Sequence, residues 1–283
     1  FKRFPQWMWR NSEILDFTGW LAAHNATAGT TRAGFYGLDL YSLNESIKAV
    51  LDYLRETDPQ AARTFASHYA CFEHFGGDAR RYGLFTGTGV SKGCEDEAVA
   101  ALAELRRRRG AWLALDGHDA QEAFFCAERN AAVVADAENY YRNMLRGDVA
   151  SWNLRDRHMM DTLLSLMHHL ATTQGRAKVV VWAHNSHIGN ARATEMARKG
   201  EFNIGQLARE HFGNEAVLIG FTTYQGTVTA ASDWDAPAER MAVRPGLPNS
   251  LERIFHESEI PAFWLDFKKN AQAAEAFKHP WLE

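Results

Sequence analysis

The sequence has little of several things, and each shortage excludes a class of protein. Cysteine is scarce: Cys71, Cys94 and Cys126 are the only three. They are too scattered for a disulfide framework or a Cys-x-x-Cys ligand pair, so buried free thiols in a reducing compartment are expected. No apolar run approaches the ~18 residues of a membrane span, and the opening residues do not read as a signal peptide. A cytoplasmic protein without a membrane partner is the expectation. Surplus positive charge is also missing. With 31 basic and 35 acidic residues the formal net charge is -4, which gives no support for a nucleic-acid partner. The one basic run, Arg106 to Arg109, ends a helix-like stretch, where it complements the helix C-terminal dipole. There is no Gly-x-Ser-x-Gly elbow, no Gly-x4-Gly-Lys-Ser/Thr phosphate loop and no His-Glu-x-x-His zinc helix. The glycines between Gly83 and Gly93 lack the order of a dinucleotide fingerprint.

What is present is apolar and aromatic. Hydrophobic residues make up 46% of the 283, with nine Trp and seventeen Phe, enough for a large core without staples. Trp7 to His24 has the spacing of an amphipathic helix. Residues 33–40 form a short apolar segment that fits a buried strand. Ser42 with Glu45 three residues on suggests a capping box for a helix that stops near Asp58-Pro59. From Pro59 to about Ala171 the pattern is almost wholly helical. Strand-like runs then return at 178–183, 216–222, 226–231 and 262–266, alternating with helices at 203–212, 250–256 and from Ala271. Continuous apolar strands between helices predict an α/β fold: a mostly parallel central sheet flanked by helices, with a largely helical inserted subdomain. The implied division is an α/β part at 1–58, a helical insert or layer at 59–171 and a second α/β part at 172–283.

Four segments combine reactive side chains with suggestive placement. In 181–189 an apolar run ends and His184, Asn185, Ser186 and His187 follow at once, where ligands bind in open α/β sheets. Two imidazoles three residues apart can turn toward one point and serve as general acid or base, or hold a divalent metal. In 34–42, Asp39 and Tyr41 lie just past another apolar run, where a carboxylate can orient a histidine; Ser42 reads as a helix cap. Arg10 and Asn11 follow Trp7 and Trp9 and are candidates to line a pocket, with the guanidinium facing developing negative charge. In 152–159, Asn153 and Arg155 can face a site from a helix start, whereas Asp156 suits the helix dipole or a surface ion pair.

Together these segments resemble the erythromycin esterase family. The resemblance is carried by Gly34-Phe-Tyr-Gly-Leu-Asp-Leu-Tyr-Ser-Leu43, Ser151-Trp-Asn-Leu-Arg-Asp-Arg-His158 and Val180-Val-Trp-Ala-His-Asn-Ser-His-Ile-Gly189. Asn203-Ile-Gly-Gln-Leu207 and the stretch from Gly226 to Asp235 add to it, in order along nearly the whole chain. It implies a hydrolase that opens a macrolide lactone or cleaves a related carboxylic ester by general-base activation of water. His184 and His187 match the family's second histidine cluster; Arg10, Asp39 and Tyr41 match positions of less defined role. The family's Gly-Glu-x-Thr/Ser-His-Gly segment, expected to carry the base, does not occur in these 283 residues, and the chain opens abruptly at Phe1. A partial chain with little activity of its own is therefore expected. The expected partner is a small-molecule ester, with no cofactor unless a divalent metal is used. Two other readings stay open at this point: a metal-dependent hydrolase with His184 and His187 as ligands, and a non-catalytic protein that binds a hydrophobic ligand.

Overall fold

The computed structural model describes residues 5–27, 29, 32–113, 117–145, 147–175, 177–233 and 236–277. The opening Phe1 to Phe4, parts of the turn-rich stretch after the first helix, and Trp234-Asp235 of the last family-like motif lie outside them. The chain divides into two compact units, Phe35–Gly220 and Phe1–Gly34 with Phe221–Glu283.

The larger unit is helical. Helices α3 (Leu43–Thr57), α4 (Pro59–Tyr69), α5 (Ala79–Gly87), α6 (Glu95–Arg107) and α7 (Arg109–Leu113) gather on α8 (Gly117–Asn143). On α8, Ala127, Ala131, Val134, Ala137 and Tyr141 repeat at helical spacing and share one buried cluster with Val50 and Leu54 of α3 and Ala98, Ala101 and Leu105 of α6. Alanines let neighbouring helices approach closely. At Gly83 of α5 a Cβ would stand 2.4 Å from the Tyr141 carbonyl oxygen, so only glycine allows this crossing. A 3-10 turn at Ala70–Phe75 packs Phe72 and Phe75 against Tyr82, at 5.2 and 5.0 Å between ring centroids.

Helix α9 (Asp148–Gln174) also has 27 residues, about 40 Å at 1.5 Å per residue. Beyond it come α10 (Asn185–Ile188), α11 (Glu195–Lys199) and α12 (Ile204–Phe212). Met159, Met160 and Leu163 of α9 form a second cluster with Ile204 and Leu207 of α12, and Val179 and Val181 pack on it.

The smaller unit holds α1 (Gln6–Trp9), α2 (Ser12–Thr27), a hairpin and two short helices. Strand β1 (Gly226–Ala230) pairs antiparallel with β2 (Glu239–Val243), Gly226 opposite Val243 and Ala230 opposite Glu239. Then α13 (Leu251–Glu257) is capped by the Ser250 hydroxyl and α14 (Ala271–Ala276) by the Asn270 amide oxygen. No helix of the described residues is long and apolar enough to cross a membrane.

This architecture overturns the predicted parallel sheet. The described residues are 64% helical, and their one small sheet has two antiparallel strands. Residues 33–39, 177–184 and 216–223 are neither helix nor strand, and none belongs to a ladder among the described residues. The reason they read as strands is visible at 178–182. Val179 and Val181 turn toward the α9–α12 cluster, while Val180 is 93% and Trp182 62% exposed. That is the alternation of a strand, but a pattern of burial does not supply hydrogen-bonding neighbours. Of the predicted strands 226–231 forms; 262–266 does not. Two local expectations also fail. Ser42 makes no side-chain cap bond and instead meets the Ser46 hydroxyl at 3.0 Å. Cys71 and Cys94 are joined by a disulfide, with 6.0 Å between their Cα atoms. Tyr82 draws both ends together: Phe72 packs on its ring and its hydroxyl accepts the Cys94 N–H at 2.8 Å. Cys126 is free and exposed.

Candidate active site

The site grows from one face of α9. Trp152 and Asp156 are four residues apart, so their side chains stack on the same side of the helix. Residues 177–183, held by Val179 and Val181, lead the chain to a single helical turn, α10, beside that face. His184 caps the turn, its Nδ1 accepting the Ser186 N–H at 3.2 Å. The His184 carbonyl accepts the His187 N–H at 2.9 Å. This turn points His187 inward and leaves His184 exposed.

His187 Nδ1 lies 3.0 Å from both carboxylate oxygens of Asp156. A carboxylate accepts, so Nδ1 carries the proton and Nε2 is the open position. Asp156 is wholly buried, and the His187 residue is 7% exposed. A buried carboxylate needs more than one partner, and Asp156 has a second: the Ile204 N–H at 2.8 Å, in the first turn of α12. Free amides and the helix dipole both favour an anion there. Asn203 caps the same helix, its Oδ1 accepting the Gln206 N–H at 2.9 Å, and its amide donates to the Ser186 carbonyl at 2.8 Å. One residue thus ties α12 to α10. Gly205 makes the approach possible, since a Cβ there would lie 2.2 Å from the Gly189 oxygen and 2.3 Å from the Ile188 oxygen, both backbone.

Trp152 lies flat on His187, 4.5 Å between centroids and 4° between planes, and donates its indole N–H to the Phe202 carbonyl at 2.7 Å. Asn153 donates to the Gly200 carbonyl and accepts the Phe202 N–H, both at 2.9 Å.

Beside this pair stands a second group. Arg155 grips Asp39 through Nε at 3.0 and 3.2 Å and Nη2 at 2.6 Å. Its guanidinium covers the Tyr41 ring at 4.7 Å, and the Tyr41 and Tyr140 hydroxyls meet at 3.2 Å. Burial pushes the Tyr41 phenol well above its usual range, so it stays a neutral donor. Asp39, Tyr41 and Arg155, all candidates from the sequence, come together. Asp39 holds the arginine and not, as expected, a histidine. Asn185 is exposed at the start of α10, and its amide oxygen is 3.9 Å from where a Cβ on Gly220 would lie. Arg10 and Asn11 belong to the other unit. Asn11 bridges α1 and α2 there, donating to the Trp7 and Met8 carbonyls and accepting the Ile14 N–H; Arg10 is exposed.

The residue missed was Asp156, read as a dipole or surface partner and found at the centre. Its i, i+4 spacing from Trp152, on a helix face where a tryptophan ought to be covered, was the available signal. Among the described residues, no three His, Cys, Asp or Glu side chains are grouped to hold a metal ion.

The fold and the site define a largely helical protein with a buried, carboxylate-held histidine. The chain belongs to the erythromycin esterase family, whose model matches residues 1–283. A solved succinoglycan biosynthesis protein is similar to it with a TM-score of 0.69 at 22% identity, over 89% of this chain and 58% of that one. A solved protein from Bacillus cereus is similar with a TM-score of 0.76 at 18% identity, over 95% of this chain and 63% of that one. At these identities the likeness speaks for the fold. The chain spans less than two thirds of either protein's length.

Proposed function

We propose that this chain carries the proton-transfer part of a carboxylic ester hydrolase, with macrolide lactones and related esters as substrate class. The observation that supports this reading is the open Nε2 of an imidazole whose Nδ1–H is held by a wholly buried carboxylate. Such a ring has one tautomer and one exchangeable position. As imidazolium it hands its Nε2 proton to the leaving alkoxide, and the Asp156 charge stabilises the cation meanwhile. His184 has the opposite set: its Nδ1 accepts from Ser186 N–H, so neutral His184 presents an Nε2–H donor to a developing oxyanion. His187 Nε2 takes one proton from the attacking water as the remaining hydroxide bonds to the acyl carbon, and when the acyl C–O bond breaks the imidazolium returns that same proton to the alkoxide.

The experiment is mass spectrometry of a macrolide lactone and a panel of simple esters incubated with the full-length parent protein, wild type beside His187→Ala. The expected result is one water gained by a substrate, at a rate about 100-fold or more lower in the variant. Equal rates in the two proteins, or no ester turned over, would overturn the reading.

A further inference from the structure

His187 is held by more than its carboxylate. A hydrogen bond at Nδ1 fixes one atom of the ring and leaves the ring able to tilt, which swings Nε2. The face of Trp152, parallel within 4° at 4.5 Å, opposes that tilt. The other end of the same indole is anchored, donating to the Phe202 carbonyl at 2.7 Å. Phe202 lies two residues before Ile204, whose N–H the Asp156 carboxylate accepts. Trp152 therefore touches the histidine directly and, through Phe202, the segment that completes the carboxylate's bonding. Asn153 grips that segment independently at Gly200 and Phe202, so the segment does not depend on the indole N–H alone.

We infer that Trp152 is the positioning residue of this site: its ring face sets the plane of His187 and so the direction of Nε2. What Nε2 then does rests on the ester-hydrolase reading; the holding of the ring does not. A side chain that only filled space could be replaced by another apolar one of smaller area. A positioning ring could be replaced only by another ring.

Two variants separate these roles. Trp152→Phe keeps a flat face and loses the N–H donor; Trp152→Leu keeps apolar volume and loses the face. In the full chain, the His187 Nδ1–H proton should give a sharp low-field resonance in wild type and Trp152→Phe, and a broadened or absent one in Trp152→Leu. With a substrate, Trp152→Leu should lower kcat by about 100-fold, the scale of an ångström-level misplacement, with KM within twofold, and Trp152→Phe should restore most of it. A sharp resonance and unchanged kcat in Trp152→Leu would overturn the inference and leave the hydrolase reading intact. If no ester is turned over, the hydrolase reading falls while the resonance still decides the role of Trp152.

Discussion

Two carboxylates among the described residues are wholly buried, Glu138 on α8 and Asp156 on α9, and they are buried for different ends. Glu138 accepts the Tyr82 hydroxyl at 2.6 Å and the Arg142 guanidinium at 2.9 and 3.2 Å. Tyr82 in turn accepts the Cys94 N–H, and Arg142 reaches Glu95 at 2.8 Å. Both partners have further partners of their own, and the charge is neutralised in place. Asp156 has a partner with a nitrogen left over. Burial of a charge is thus no sign of chemistry by itself; the unused valence of its partner is. Histidines give the same lesson. His158, two residues beyond Asp156, is also buried, but its Nδ1 meets Asp136 at 2.6 Å and its Nε2 faces the Thr162 hydroxyl at 3.4 Å. His169 pairs with Glu122 at 2.6 Å. The side chains of Asp136 and Glu122 are nearly half exposed, where water competes for each pair.

If the comparison is right, the two regions should fail in different ways. Glu138→Ala takes the buried carboxylate from a guanidinium and a phenol, and breaking such a buried pair costs about 3–5 kcal/mol. Denaturant unfolding should show that loss, while the His187 Nδ1–H resonance of the molecules still folded stays unchanged. A shifted resonance would mean the two regions are one network. Gly205→Ala should do the reverse. Its Cβ would meet backbone atoms at 2.2 to 2.4 Å, so relief requires α12 to move from α10. Overpacking of this kind costs about 1–3 kcal/mol, less than the Glu138 variant, yet it withdraws the Ile204 N–H from Asp156. The expected signature is modest destabilisation with a perturbed His187 resonance. An unperturbed resonance would show that the α12 amide does not hold the carboxylate.

Much of this was legible in the chain and some was not, for physical reasons. The helix at 43–57 was legible through its spacing and its stop at Asp58-Pro59, that at 204–212 through its spacing, and the region 59–171 as almost wholly helical. The pairing of Arg155 with Asp39 and Tyr41 was legible only as three candidates, because 116 residues separate the ion pair and spacing carries no information across that distance. Asp156 was misread because a carboxylate near a helix start looks alike whether it faces water or an imidazole. The runs at 177–184 and 216–223 were misread as strands because apolar alternation reports which side of a segment is covered and not whether another strand lies alongside. The Cys71–Cys94 bond was hidden for a similar reason: Tyr82, not sequence proximity, brings the cysteines together.

The smallest effect concerns a carboxylate that shares one feature with Asp156 and lacks the other. Asp58 accepts an N–H from the first turn of a helix, Ala61 at 2.9 Å, as Asp156 accepts that of Ile204, but its side chain is partly exposed and its cation, Arg108, stands 3.3 Å away. The Ala61 N–H, followed by the Trp112 indole and then Arg108, holds its carboxyl below the usual range against the opposing effect of burial. A depressed pKa means that the folded state binds the proton less tightly than the unfolded chain. The resulting stability is present above the unfolded value near 3.9 and is lost as pH falls through the lower folded value. Asp58→Ala should therefore cost about 1 kcal/mol at pH 7, the usual worth of such a cap. That gap between wild type and variant should close once the pH is well below about 4. Denaturant midpoints of the two proteins at pH 7 and pH 2.5 test this. A gap that persisted in acid would mean that Asp58 acts by packing, and that helix amides do not by themselves favour the ionised carboxylate here, which would weaken the same argument for Asp156.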